Sequence, residues 1–360
     1  SCVTLERMPS PLQTAARPAR IRRRLLAALG LPMALSLTLA ACGGGDDQST
    51  SGRTPGPSDT TGTAAGTTTV SGQWPLTGEK LTGDAPKHPV YAVKIDNTAS
   101  SQPQVGLRHA DMVVEELVEG GATRLAAFYY SDIPHEVGPV RSMRSSDIDV
   151  VKPTNAYLVT SGGARPTLRR VSAAHIKALT GGAPGYHRVS SRPAPYNLFI
   201  HLNKLAAKPG KGWKPPPHPY LPFGGDDLSG GRTVHSLAAT FSSGHTTEWK
   251  HRASGWVRTN SYAGKGDDFT ADNVLVLRVK EGDAGYKDPA GNPVPETELT
   301  GKGQALLVHG TTAVKAVWHK RAKGAPIRLH TTDGKALKVP SGHTFIELVP
   351  RGTGSVTTGK

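Results

Sequence analysis

Cysteine is almost missing from this chain. There are two in 360 residues, Cys2 and Cys42, so a disulfide scaffold and a four-thiolate metal centre are excluded. Aromatic residues make up only 6%, and the 28 Asp and Glu are outnumbered by 43 Lys and Arg. No uncharged apolar run reaches the roughly 20 residues that a membrane-spanning helix needs. The candidate, Leu25 to Ala41, is short and interrupted by Pro32. No His-Glu-x-x-His, Gly-x-Ser-x-Gly or Ser-x-x-Lys motif occurs, so the commonest zinc-hydrolase and acyl-enzyme signatures are lacking. What is abundant is glycine, 42 residues, and proline, 29. Together they stay below the roughly 25–30% that marks low-complexity or disordered chains. A globular body with room for about two domains is expected.

The N-terminus carries an address. Arg17, Arg20, Arg22, Arg23 and Arg24 precede the apolar run, which ends in small residues before Cys42. This is the layout of a bacterial secretion signal, with Met8 as a natural start. Leu39-Ala40-Ala41-Cys42 resembles the lipobox of bacterial lipoproteins, in which the cysteine sulfur accepts a diacylglyceryl group and the signal (1–41) is cut away. The expected location is extracytoplasmic, attached to the cell membrane at Cys42. Residues 42–73 are Gly, Ser, Thr, Asp and Pro with hardly any branched aliphatic residue. They cannot bury enough apolar surface to offset ordering entropy and read as a disordered linker. As a coil it spans roughly 30 Å. After the signal and linker are set aside, the body from Trp74 carries a net charge of +12. Outside the cytoplasm this points to an anionic wall polymer, lipid head groups or an acidic envelope protein rather than nucleic acid.

The body divides by pattern. Residues 74–214 read as a mixed α/β N-terminal domain, 215–231 as a Pro/Gly-rich connector, 232–350 as a smaller, mostly antiparallel β-rich domain, and 351–360 as a disordered tail; the class is α+β. Val90–Ile95 and Met112–Glu119 alternate as strands, Ala156–Thr160 reads as a buried strand, and Leu168–Leu179 has helical spacing. Further strands are expected at Glu248–Arg258, Val274–Val279, Ala305–Val308, Ala313–His319, Ile327–His330 and Thr344–Val349. Gly120-Gly121 between two β-like runs predicts a two-residue hairpin loop. That register sets Glu115 opposite Ala126 and places Glu115, Leu117, Glu119 and Arg124 on one face.

Several segments carry a resemblance. They are Val93-Lys-Ile-Asp96-Asn97, Gly106-Leu107 with Ala110-Asp111, Glu115-Glu116-Leu-Val-Glu119-Gly-Gly-Ala-Thr123-Arg124, Gly138-Pro-Val-Arg141-Ser-Met-Arg144, Pro195-Tyr-Asn-Leu198 and Thr344–Pro350. Together they resemble the YerB-like family of bacterial lipoproteins, over roughly Trp74 to Pro350. The resemblance implies a two-part domain of unknown function behind a lipid anchor. It carries over no catalytic residue, ligand or cofactor. Tyr196 stands where the pattern has His, and Phe345 where it has Trp.

Candidate chemistry follows from residue types. Glu115, Glu119 and Asp96 are the candidate acids and bases for cleavage of a wall glycan. The roughly 13 Å between the Glu115 and Glu119 backbones exceeds the separation that glycosidases use. With Arg124 between them, a structural ion triad is the simpler reading. Arg124, Arg141 and Arg144, with Asp147 and Asn97, are the ligand-binding candidates: two guanidiniums three residues apart after Gly-Pro suit a carboxylate or phosphate. Pairing of those arginines with Asp147 or Asp149 is the structural alternative. His245, Glu248 and His251 would ligate a metal only on a helix, and their surroundings read as a hairpin, so neither metal nor cofactor is expected. Asp267, Asp268 and Asp272 read as a solvated loop. The leading expectation is a non-catalytic binding module for an anionic wall component or protein partner. The alternatives are a wall-modifying hydrolase and a solute-binding lipoprotein.

Overall fold

A computed structural model describes residues 72–225 and 228–360. The signal segment 1–41, Cys42 and the linker up to residue 71 lie outside the described residues.

The first region forms strands β1 (Tyr91–Asn97), β2 (Met112–Leu117), β3 (Thr123–Tyr129), β4 (Tyr157–Val159), β5 (Ala178–Leu179), β6 (Tyr186–Arg188) and β7 (Leu198–Ile200). Its helices are short: α1 (Asp147–Val151), α2 (Arg165–Ala173) and α3 (Leu202–Ala207). The second region holds β8 (Arg232–Thr233), β9 (Ser236–Ser242), β10 (His245–Arg252), β11 (Gly255–Arg258), β12 (Asn273–Lys287) and β13 (Pro293–Glu298). It continues with β14 (Gly301–His309), β15 (Thr312–Lys320), β16 (Arg328–Thr331), β17 (Ala336–Leu337), β18 (Thr344–Pro350) and β19 (Ser355–Gly359). Of the described residues, about 42% are strand and 11% helix. The protein is therefore richer in β structure than a mixed α/β first region anticipates.

One 13-stranded sheet runs β17-β16-β15-β14-β12-β18-β2-β3-β1-β4-β5, with β13 and β8 paired beside it. β18 pairs in parallel with β12 on one side and with β2 on the other. The two sequence regions thus share a single sheet. A second sheet, β11-β10-β9-β19, covers one face. There Phe241, Trp249 and Trp256 are buried together with Val274, Val276 and Phe345. The opposite face buries Phe128, Leu277, Leu307 and Trp318 with Met143, Ile148 and Tyr220. Both faces of the central strands are dry, which explains their near-continuous apolar runs.

Four expectations need correction. The hairpin register is one residue off: Leu117 pairs Thr123, Glu116 pairs Arg124 and Glu115 pairs Leu125. The loop closes with Val118 N–H donating to Ala122 O at 2.8 Å, leaving three residues in the turn. Gly120 and Gly121 both take left-handed φ, 69° and 75°, which a side chain resists. A one-residue slip sends every side chain to the other face, so Glu115 and Arg124 do not share one. The helix expected to reach Leu179 ends at Ala173, because His175 turns left-handed at φ 54°. Its last residues join the large sheet as β5. The tail expected to be disordered supplies β19, antiparallel to β9; its Ser-Val-Thr-Thr run has strand propensity, and Val356 packs against the core. The Pro-rich connector is anchored: Tyr220 and Leu221 are buried, and Tyr220 Oη donates to Val150 O at 3.1 Å.

Candidate functional site

On the face of the large sheet that carries α1, β1–β3 and the segment after Gly138 assemble a dense charged cluster. Lys94 Nζ lies 2.7 Å from Glu116 Oε1 and 2.9 Å from Asp147 Oδ1, and all three side chains are at most 1% exposed. Burial first, then Asp147, pushes Glu116 up to about 7. Burial opposes the Lys94 charge, but Asp147 and Glu116 outweigh it and raise its pKa. Toward the hairpin tip, Arg124 Nη2 is 3.2 Å from Glu119 Oε1, and Arg124 Nη1 donates to Ser142 O at 2.6 Å. Arg144 chelates Glu119 through Nε, at 2.7 Å, and Nη2. Its backbone N–H donates to Asp147 Oδ2 at 2.7 Å.

Arg141 Nη1 is 3.4 Å from Asp96 Oδ2 without an aligned hydrogen bond, and its guanidinium sits 5.0 Å above the Tyr196 ring. Three guanidiniums thus face two carboxylates, Glu119 and Asp96, and Arg141 is the least satisfied. The strand pairing explains the convergence, since Arg124 is opposite both Glu116 and Asp96. Gly138 explains the approach of the Arg141 segment: a Cβ there would lie 2.5 Å from Phe199 Cδ1. Arg141 N–H then donates to Lys94 O at 2.8 Å.

Glu115 faces the other way, under the second sheet. It accepts from Asn97 Nδ2 at 2.9 Å, Thr123 Oγ1 at 2.6 Å and Thr247 Oγ1 at 2.9 Å, and meets His245 Nε2 at 2.8 Å. Against the cost of burial, the His245 hydrogen bond and charge hold it down to about 2. Its partner across β2 and β18 is Glu347, which accepts from Trp249 Nε1 at 2.7 Å. Burial, then the Glu115 charge, pushes Glu347 well above the carboxylate range. Their surroundings thus favour the ionised form of Glu115 and the protonated form of Glu347. Glu115 and Glu119, paired in the sequence reading, are on opposite sides of the sheet. The carboxyl pair actually formed joins positions 115 and 347, which no local spacing reveals.

Asp267, Asp268 and Asp272 are not idle loop residues. They accept from Gly106 N–H at 2.8 Å, pair with Arg258, and accept from His343 N–H at 2.7 Å, respectively. His245, Glu248 and His251 all lie on β10, in the hairpin with β11.

The cationic side chains that do lie open are elsewhere. A cavity of about 440 Å³ crosses β12, β14 and β15, lined by Arg232, Arg278, Lys315, Leu306, Val276 and Thr358. Through Arg278, Gln304 and Val317 it adjoins a second of about 610 Å³, which adds Lys302, His319 and Arg351. Among the described residues no carboxylate lines either, although Asp333 shares a neighbouring cleft of about 490 Å³ with Arg232 and Lys315. Arg278 donates to the carbonyls of Arg351 and Gly354, at 3.1 and 2.8 Å, and Arg232 to Thr358 Oγ1 at 2.7 Å. None of Arg232, Arg278, Lys302, Lys315 and Arg351 makes an ion pair among the described residues. Burial, then Arg351, pushes Arg278 downward. The sequence reading singled out none of these residues. Lys315, Val317 and His319 alternate along β15, but alternation alone does not say which strands lie beside them. A separate acid-free cleft of about 420 Å³, near the β4–β5 end of the sheet, holds Lys152, Lys177, Lys211, Lys214, Trp213 and Tyr157.

Comparison with known proteins places this fold. The curated Bacillus subtilis (strain 168) protein named "Putative lipoprotein YerB" is 27% identical over 289 residues, 77% of this chain and 86% of that protein. The crystal structure of the YerB protein from Bacillus subtilis superposes with a TM-score of 0.66 at 22% identity, covering 79% of this chain and 99% of that one. Two models of one family match, "Protein of unknown function (DUF3048) N-terminal domain" at residues 76–213 and its C-terminal domain at 237–346. The chain belongs to the DUF3048 family, whose two domains are here joined through one sheet.

Proposed function

We propose that this chain is a lipid-anchored envelope protein, held outside the cytoplasmic membrane at Cys42, whose body binds an anionic wall polymer along the groove lined by Arg232, Arg278, Lys302, Lys315 and Arg351. The observation that carries the reading is the run of open cationic side chains that make no ion pair among the described residues and line two adjoining cavities whose described lining holds no carboxylate. Unpaired like charges in a concave surface raise the local potential and concentrate counter-ions. The five cations come from separate segments, β8, β12, β14, β15 and the residue after β18, so the groove presents a spread patch of positive charge that an extended anionic polymer can cross. The lipobox at Cys42 and the name of the Bacillus subtilis relative support the anchor.

The test is co-sedimentation of the full chain, purified in detergent, with cell walls carrying or stripped of their anionic polymer. Binding to intact walls, at least a tenfold loss on stripped walls, and the same loss in Arg232→Ala plus Lys315→Ala are expected. Equal binding to both wall preparations would overturn the reading. A second reading is favoured by the surplus charge and imperfect pairing of Arg141. There the ligand is a single carboxylate or phosphate, and Arg141→Gln, rather than the groove variant, abolishes binding.

A further inference from the structure

Away from both sites, three donors from distant points in the chain converge. Glu136 Oε1 is 2.7 Å from His187 Nε2. One ligand atom from each of Glu136, His187 and His201 lies within 4.8 Å of the others. The His187 and His201 rings stack at 4.2 Å with 11° between their planes, and His135 lies 4.6 Å from His201. Backbone pairing fixes the arrangement. Val137 and Ile200 exchange hydrogen bonds at 2.9 and 3.0 Å, which sets Glu136 beside His201. His201 N–H donates to Gly185 O at 2.9 Å, and Tyr186 pairs Ile200, which brings His187 alongside.

Two features of this cluster are unexplained by packing. Nδ1 of His187 and Nδ1 of His201 are both buried without a hydrogen-bond partner. Such atoms are uncommon, and two in one cluster call for a ligand. Stacked imidazoles also repel when protonated.

We propose that Glu136, His187 and His201 bind a divalent transition-metal ion, Zn²⁺ by the chemistry of the donor set. Two imidazoles and one carboxylate are a recurrent set for a zinc ion that keeps a coordination position open. Glu136 and His135 also line a cleft of about 370 Å³ with Arg108 and Lys265. Asp267 lines the same cleft, 3.9 Å from Arg108, so the space beside Glu136 carries charge of both signs. Residues 136, 187 and 201 form no local motif, so the sequence reading, which expected no metal, had no spacing to find them by.

The test uses the full chain, purified in detergent without a histidine tag and stripped with chelator. Co²⁺ titration followed by visible absorption, with Zn²⁺ competition, reads stoichiometry and geometry. One ion per chain, bound at micromolar affinity or tighter, is expected, with a rise in wild-type melting temperature. Glu136→Gln and His201→Ala should each weaken binding at least tenfold, and the remote His218→Ala should leave it unchanged. Far-UV circular dichroism checks the folding of each variant. No ion bound by the wild type, or binding unchanged in Glu136→Gln, would overturn the proposal.

Discussion

Lys94→Met tests whether the charged cluster is held together as described. Methionine keeps the length and approximate volume of the side chain and removes only the charge. Glu116 and Asp147, at most 1% exposed, lose their shared cation. Breaking a buried ion pair by removing one partner costs about 3–5 kcal/mol. For a body of about 290 residues the entropy of unfolding is on the order of 0.6 kcal/mol per kelvin, so the melting temperature falls by roughly 5–8 °C. The pH dependence is the signature. Glu116 already sits at about 7, from burial and then Asp147, with Lys94 pulling it down. Without Lys94 it rises further. A carboxyl whose folded pKa exceeds its unfolded value loses stability as pH rises between the two. The deficit of the variant is therefore largest above pH 8 and shrinks toward pH 5, where protonation neutralises Glu116. Thermal unfolding followed by circular dichroism at pH 5, 6.5 and 8 measures it. A deficit below about 1 kcal/mol, or one equal at all three pH values, refutes the reasoning, because lost packing alone does not titrate.

Two further outcomes follow from single contacts. Gly138→Ala places a methyl group 2.5 Å from Phe199 Cδ1 and should cost about 1–3 kcal/mol by overpacking; a urea midpoint unchanged from wild type would contradict it. In the wild type, burial opposes the ionised Glu115, but His245 holds its folded pKa at about 2, below the ordinary 4.5. The stabilisation from this carboxylate is present above pH 4.5 and is lost as pH falls toward 2. His245→Ala removes most of it, so the gap between wild type and variant should be widest near pH 5 and narrow toward pH 2; parallel stability curves would count against the assignment.

Strand existence was legible because alternation and β-branched residues report local preference. β12, β14, β15, β16 and β18 all fall where the sequence reading puts strands, and the Gly120-Gly121 turn is where two strands reverse. Register was not legible, because a turn of two or three residues uses the same glycines and the difference flips every side chain. That one slip separates Glu115 from Arg124 and brings Arg124 over Glu116, while Glu119 leaves the strand in the turn. Long-range pairing was equally hidden. β18 lies between β12 and β2, so Glu347 becomes the neighbour of Glu115, a contact across more than 200 residues. The segment around Tyr220 reads as a connector because proline and glycine dominate its composition, yet two apolar residues suffice to pin it into the core. Arg141 and Arg144 were legible as a charged pair, but their partners, Asp96 and Glu119, depend on the sheet that assembles beneath them.

If the groove binds the wall polymer as proposed, the position of its cationic residues decides binding and their number does not. Wall co-sedimentation of two variants at moderate salt measures this most directly. Arg232→Ala plus Lys315→Ala removes two charges from the groove, and Lys177→Ala plus Lys211→Ala removes two from the cleft near the β4–β5 end of the sheet. At least a tenfold loss of binding is expected in the first and less than a twofold change in the second. Equal losses in both would show that the protein responds only to net charge, and would contradict the assignment of the groove.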